Sequence, residues 1–310
     1  MRVGFVGLGR MGHGMAQNLL KSGAELLVFD NSPDASKALV QAGAVLASDI
    51  GEVAREVQVI FTSLPGPAQV EEVILGAGGI MENLRRDVAL FELSTSSLSL
   101  ARRIHEAFAQ QGAWMLDAPV SGGPAGAASG QLTIWVGGER TIFDRHLDLL
   151  RTIGNAPRYV GAIGAGTVTK LTHNMVGYMI MLSLAETFSM AVKAGLDPLD
   201  LWEALKLGLV GKGSCLNMLT NQFLPGKYEP AAFALKLAHK DMTLATAMGK
   251  ELGVPIRLAN LTLEEMTEAL GRGFGDQDSR SFLKLQLERA GVKIAVDEER
   301  LRSAISAPNA

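Results

Sequence analysis

Arg2-Val3-Gly4-Phe5-Val6-Gly7-Leu8-Gly9-Arg10-Met11-Gly12 stands almost at the start of the chain, and its reading decides the fold. Arg2 to Val6 is a short apolar run of the kind that forms a buried strand. Three glycines follow at positions 7, 9 and 12. Met15, Ala16, Leu19 and Leu20 then recur at helical spacing, and Gly23 closes the helix. Leu26 to Phe29 makes a second strand with Asp30 at its end. Strand, glycine turn, helix, strand and acid in this order form a dinucleotide-binding unit, a more specific signal than the glycines alone. Gly7 permits the tight turn, Gly9 lets a pyrophosphate reach the backbone, and Gly12 allows close helix–sheet packing. The helix N-terminus presents unpaired N–H groups and a positive dipole end to the phosphates. The expected cradle is therefore Gly7, Leu8, Gly9, Arg10, Met11 and Gly12, with Asp30 and Asn31. Asp30 suits two ribose hydroxyls and repels a 2′-phosphate, and Asn31 offers that phosphate no cation. NAD is thus expected in preference to NADP.

The 310 residues, 47% hydrophobic and 20% charged, have ample material for a core and suggest two domains. A net charge of −3 gives no electrostatic case for nucleic acid or membrane as a partner. One cysteine, Cys215, excludes an internal disulfide and fits a reducing, cytoplasmic setting; it reads as a small buried apolar residue. The N-terminus is already strand, which argues against a signal peptide. The apolar stretch Met175 to Ala185, stopped by Glu186, is too short to span a bilayer and reads as a helix buried inside the protein.

Strand and helix patterns alternate through the first half. Val57–Phe61, Val88–Leu93, Trp114–Leu116 and Leu132–Val136 read as strands, and Leu98–Gln111 as a helix. The alternation predicts an α/β fold, a doubly wound Rossmann sheet with ligands at the strand carboxyl ends. After Gly164-Ala165-Gly166 a long helical stretch runs to about Ala194, and helix signals then dominate to about Ala290. Asp197-Pro198 starts one helix, Pro225 and Pro230 punctuate a loop, and Gly253-Val254-Pro255 separates two more helices. The expected division is a Rossmann domain over 1–162, an all-α domain over 163–295 and a polar tail over 296–310, the last read as a surface helix followed by a loose end.

Several residues could carry chemistry. Leu64 and Pro65 end one strand and Thr95 ends the next, where a bound cofactor would lie. One of Ser94, Thr95 and Ser96 is also expected to cap the following helix. Ser121-Gly122-Gly123 follows Asp117-Ala118-Pro119-Val120, and two glycines after a serine let consecutive N–H groups converge on a carboxylate. Taken alone, the segment reads better as an ordinary turn. Lys170, His173 and Asn174, at i, i+3 and i+4, share a helix face. Desolvation and a nearby nicotinium charge would favour a neutral lysine amine able to take a hydroxyl proton. His173 reads equally as a packed structural histidine. Lys240-Asp241 could be a solvated surface pair. No Cys/His clustering suggests a metal.

Together these segments resemble the β-hydroxyacid dehydrogenase family, over Val3 to about Arg289. Val6–Gly12 is similar to its cofactor signature. Asp117–Gly123 with Ala127 and Gly130-Gln131-Leu132 resembles its substrate signature, Gly164–Gly166 with Lys170 and Asn174 its catalytic one, and Lys240-Asp241-Met242 a late Lys-Asp-Leu element. The resemblance implies Lys170 as general acid/base, with Ser121, Gly122, Gly123 and Asn174 on the substrate. It implies Thr95 on the nicotinamide ribose and Lys240 near the cofactor. It implies hydride transfer between a short 3-hydroxy acid, 3-hydroxyisobutyrate-like, and NAD, with no metal, in homodimers or homotetramers. Alternatives within the class are a tartronate semialdehyde or other short aldehyde-acid reductase and an L-threonate-type dehydrogenase. An inactive NAD-binding scaffold is disfavoured by Lys170, which such members lose. Two features depart from the family: His173 stands where many members have Asn, and Gly213-Ser214-Cys215-Leu216-Asn217 does not resemble the corresponding segment of 3-hydroxyisobutyrate dehydrogenases.

Overall fold

A computed structural model describes residues 1–193, 195–208, 211, 216–251 and 256–306. The readings made above for Gly213-Ser214-Cys215 and for Gly253-Val254-Pro255 lie outside the described residues. The chain forms two compact units, Met1–Leu171 and Thr172–Ala310.

The first unit is built on one sheet. Its strands are β1 (Arg2–Val6), β2 (Glu25–Phe29), β3 (Val45–Leu46), β4 (Val59–Thr62), β5 (Ala89–Glu92), β6 (Trp114–Asp117), β7 (Val120–Ser121), β8 (Thr133–Gly137) and β9 (Ala156–Gly161). The order β3-β2-β1-β4-β5-β6-β8-β7, with β9 also on β8, is the doubly wound arrangement that the sequence predicts. The six strands from β3 to β6 are parallel; β8 runs antiparallel to β6 and β7. The edge strands β3, β7 and β9 were not anticipated. Two are only two residues long, and β9 carries Pro157 and Arg158 and stays partly exposed, so none leaves a strong apolar pattern.

Successive residues of the parallel strands enter opposite cores, as the pleat requires. Val3, Phe5, Val59, Phe61, Ala89 and Phe91 face one core, and Ile60, Leu90 and Met115 face the other. Phe5, Phe61 and Phe91 are register partners across β1, β4 and β5. Their rings stack at 6.0 and 5.5 Å, which locks the register of the strands that end at the cofactor cradle. The helix Leu98–Gln110 buries Leu98, Ala101, Ile104 and Phe108 at three- and four-residue spacing. Its cap is Ser97, whose hydroxyl accepts from Leu100 N–H, and not one of Ser94 to Ser96. The helix starts at Leu98, as the sequence predicts, so the residue directly before it, Ser97, is the one that caps.

The second unit is helical. Pro198–Leu207, Leu235–Glu251, Arg257–Gly271, Leu283–Ala290 and Glu298–Ser306 surround Phe188, Trp202, Phe223, Met242, Met266 and Phe282. Asp197 caps its helix as expected, accepting from Leu199 and Asp200 N–H. The segment read as a polar tail carries the helix Glu298–Ser306, which buries Leu301 and Ala304. The long helix Ala165–Lys193 runs on past Glu186, a good helix former. Over Met175–Ala185, Tyr178, Met181, Leu182, Leu184 and Ala185 are buried, while Val176 stays 43% exposed, so the stretch is largely but not wholly enclosed. No helix among the described residues is long and apolar enough to cross a membrane.

Candidate active site

The glycine turn has the geometry that a dinucleotide needs. Gly7 sits at φ +92°, and a Cβ there would lie 2.3 Å from the Ser63 carbonyl oxygen. A Cβ on Gly12 would lie 1.9 Å from the Gly7 carbonyl oxygen and 3.1 Å from the Phe5 ring. By contrast, nothing stands within 4 Å of a Cβ on Gly9, so the backbone there faces open space. The helix Gly12–Lys21 that follows has Met11 at its N-cap and no side-chain cap. No side chain therefore competes with a phosphate at this end, where His13 N–H already bonds Gly9 O at 3.0 Å.

Asp30 has a second task. Its Oδ2 accepts from Leu8 N–H at 2.7 Å and its Oδ1 from Ser32 N–H at 2.8 Å. The carboxylate thus ties the glycine turn to the turn after β2, and each oxygen keeps a lone pair for a ribose hydroxyl. Asn31 beside it is exposed.

Polar residues to which the sequence reading gave no role of their own line the carboxyl ends of the next strands. Thr62, Glu92 and Asp117 are register partners on β4, β5 and β6, and all three are buried. Glu92 Oε1 accepts from Ser94 N–H at 2.8 Å, and Ser94 Oγ accepts from Leu64 N–H at 2.8 Å. That chain of bonds fixes the Leu64-Pro65 turn and the segment carrying half-buried Thr95. Asp117 Oδ1 accepts from Gly164 N–H at 2.8 Å and its Oδ2 from Thr167 N–H at 2.6 Å. Burial raises its pKa despite these bonds. The folded chain therefore binds this proton more readily than the unfolded one. Stability linked to Asp117 is greatest below the ordinary aspartate range and falls as pH rises through the raised folded value. An ionised Asp117 works against stability at neutral pH.

Val120 and Ser121 form β7 on β8, and Gly122 and Gly123 follow at φ +135° and +63°, conformations that favour glycine. Both glycines are exposed and Ser121 is half-buried. The helix Gly123–Ser129 is held to the dinucleotide helix: Asn18 Nδ2 donates to Ala127 O at 2.8 Å, and a Cβ on Gly14 would meet Ala128 N at 2.8 Å. The serine–glycine segment and the cofactor turn thus belong to one compact unit and are tied through these two helices.

Lys170 lies on the long helix three residues after Thr167, within the first unit, and is half-buried. His173 and Asn174 follow on the same helix, in the second unit. His173 is exposed, with Nδ1 3.1 Å from Asn174 Oδ1. Asn174 Nδ2 donates to Asp241 Oδ2 at 2.6 Å, and Lys240 Nζ is 3.1 Å from Asp241 Oδ1. Asp241 is 3% exposed, so Lys240-Asp241 is not the solvated surface pair that the sequence allowed. It is a buried carboxylate that fixes which way the Asn174 amide faces. Burial and the Asp241 charge push the Tyr178 phenol well above its ordinary pKa, so it stays neutral. Only the 67-residue separation of Asn174 and Asp241 hid this pairing. No cluster of metal-ligating side chains occurs among the described residues.

Comparison with known proteins agrees with this geometry. Residues 2–169 match the model for the NAD-binding domain of 6-phosphogluconate dehydrogenase. Residues 164–286 match the model described as NAD-binding of NADP-dependent 3-hydroxyisobutyrate dehydrogenase. The chain is 34% identical to mouse (Mus musculus) mitochondrial 3-hydroxyisobutyrate dehydrogenase over 291 residues, 91% of this chain and 86% of that one. It is 33% identical to 2-(hydroxymethyl)glutarate dehydrogenase of Eubacterium barkeri over 299 residues, covering 95% and 98%. The solved 3-hydroxyisobutyrate dehydrogenase of Mycobacterium tuberculosis, with L-serine, superposes with a TM-score of 0.82 at 26% identity, covering 92% and 99%. With the glycine turn, the strand order and matches over nearly the whole chain in agreement, the protein belongs to the β-hydroxyacid dehydrogenase family and is an NAD(P)-dependent dehydrogenase acting on CH–OH donors.

Proposed function

We propose that the protein oxidises a short 3-hydroxy acid of the 3-hydroxyisobutyrate type with NAD, or runs the reverse reduction, with Lys170 as general acid/base. The observation that carries this reading is Lys170 itself. It is a half-buried lysine one turn into a helix that starts at the strand carboxyl ends, in the same compact unit as the dinucleotide cradle. The bound nicotinamide supplies the hydride acceptor in oxidation and the donor in reduction. The amine of Lys170 takes the proton of the substrate hydroxyl as its C–H bond breaks, and the ammonium returns it in reverse. Ser121 and the amides of Gly122 and Gly123 hold the substrate carboxylate. Asn174, its amide oriented by Asp241, donates to the substrate. Thr95 contacts the nicotinamide ribose, Leu64 and Pro65 line the cofactor, and Lys240 lies near it. The test is NAD reduction across 3-hydroxyisobutyrate, serine, glycerate, threonate, 3-hydroxypropionate and phenylserine, with NADP as control. One acid preferred by kcat/KM supports the proposal. Silence across the panel, with NAD bound, rejects oxidation of these short acids and points to a larger acid, to a reductase that needs the aldehyde, or to an inactive NAD-binding protein.

The preference for NAD over NADP is also part of this proposal, and Asp30 gives its test. Asp30→Ala removes the ribose acceptor, the 2′-phosphate repulsion and the anchor for Leu8 and Ser32 N–H together. Asp30→Asn keeps one acceptor and removes the charge. Both variants are expected to narrow the NAD/NADP ratio of kcat/KM. Asp30→Ala should weaken NAD by up to roughly a further tenfold, the worth of the one neutral hydrogen bond that Asn retains, up to about 1.5 kcal/mol. An unchanged cofactor ratio in both would show that the ribose is held elsewhere.

A further inference from the structure

We infer that Asp117 is a positioning residue for Lys170: its buried carboxylate fixes the start of the long helix against the sheet and so sets where the lysine amine stands. The inference rests on the reading of Lys170 as the acid/base group.

Three observations converge on Asp117. The first is how the helix begins. Val168 N–H bonds to Gly164 O at 2.9 Å, so Gly164 is the N-cap, and glycine has no side chain with which to cap. The carboxylate comes instead from the last residue of β6, reaching 47 and 50 residues along the chain to Gly164 and Thr167 N–H. A local cap moves with its helix, whereas a cap from the sheet holds the helix in an external frame. Asp117 is itself held there, in register with Glu92 on β5 and Gly137 on β8.

The second is the lack of clearance. A Cβ on Gly166 would lie 2.4 Å from Trp135 O and 2.5 Å from Asp117 O. A Cβ on Gly137 would lie 2.5 Å from Asp117 Oδ1 and 2.9 Å from Ala165 N. The first helical turn is pressed against the ends of β6 and β8 with no room to slide.

The third is periodicity. Lys170 follows Thr167 by three residues, so it rises from the same side of the helix one turn on. A shift at Thr167 is carried to the lysine, because a helix transmits displacement along its axis as a stiff rod. Proton transfer needs the amine within hydrogen-bond reach of the hydroxyl, and an error of about 1 Å can cost about a hundredfold in rate. The partners of the carboxylate are backbone amides and the Thr167 hydroxyl, none of them a cation. A buried carboxylate held in this way is costly to keep for stability alone.

The experiment compares wild type, Asp117→Asn, Gly166→Ala and Lys170→Ala. It measures kcat per NAD-binding site, NAD Kd, and hydrogen exchange at the Gly164 and Thr167 amides, using 3-hydroxyisobutyrate or the panel acid that turns over fastest. Asp117→Asn is expected to speed exchange at those amides and to lower kcat per site about ten- to a hundredfold, with NAD Kd within about threefold. Gly166→Ala leaves the carboxylate in place but displaces the helix start, and reads the same split should Asp117→Asn not fold. Faster exchange with full kcat per site, while Lys170→Ala is inactive, overturns the positioning role alone. A loss that tracks the loss of NAD-binding sites reduces Asp117 to an ordinary structural residue and overturns it too. A fully active Lys170→Ala removes the underlying reading and this inference with it.

Discussion

Lys170→Ala is expected to lose about 10²- to 10⁴-fold in kcat while NAD Kd stays close to wild type, the span of a positioned general acid/base. The dinucleotide cradle is built from residues 7–12 and Asp30, none of which leans on the lysine in the hydrogen bonds that shape it. The lysine stands on the long helix, whose start is fixed by Asp117 and not by the lysine itself. On the proposed role, removing the amine deletes the proton acceptor while the bonds that shape the cradle stay in place. Steady-state kinetics with an NAD titration by fluorescence separates the two. A variant that keeps turnover removes Lys170 from the chemistry, and one that loses NAD binding in parallel makes it a cofactor residue instead.

Gly12→Ala is expected to weaken NAD about a hundredfold or more and to lower Tm. One methyl group is a small change, yet its carbon would stand 1.9 Å from the Gly7 carbonyl oxygen, an atom of rigid backbone. Overpacking in a close-packed interior costs about 1–3 kcal/mol, and 2.8 kcal/mol corresponds to a hundredfold in affinity. The turn cannot relax in place. Gly7 is hydrogen-bonded to Phe29 O at 2.9 Å and crowded by Ser63, and Leu8 is tied to Asp30. The strain must reach the amides that would meet the pyrophosphate. Gly9→Ala is the matched control: its Cβ meets no protein atom within 4 Å. It should leave Tm near wild type and weaken NAD only through crowding of the ligand. Equal Tm losses in both variants would show that the turn yields as a whole.

The contrast between these glycines marks how far the sequence could be read. Their spacing between a strand and a helix identifies the dinucleotide unit, because each step rests on local backbone conformation and on periodicity over a few residues. The same local rules give the alternation of strands and helices, the change to a helical second half, the Asp197 cap and the face shared by Lys170 and Asn174. They misplace the cap of the Leu98–Gln110 helix by a residue, since several adjacent serines could each serve and only the packed helix start selects Ser97. They miss β3, β7 and β9, which owe their form to a neighbouring strand and not to their own composition.

What the chain determines by itself is therefore the class: a Rossmann sheet, a nicotinamide cofactor, a helical second half and the residue types able to move a proton. What tertiary structure decides is how those residues are held. Asp30 bonds the turn 22 residues away, Asp117 caps a helix about 50 residues on, and Asp241 orients an amide 67 residues back. The physical reason is common to all three. A carboxylate drawn partly or wholly out of water, as Asp30 is in part and Asp117 and Asp241 are in full, must find donors to offset its desolvation, and those donors are chosen by the folding of the sheet and the helices, not by proximity along the chain.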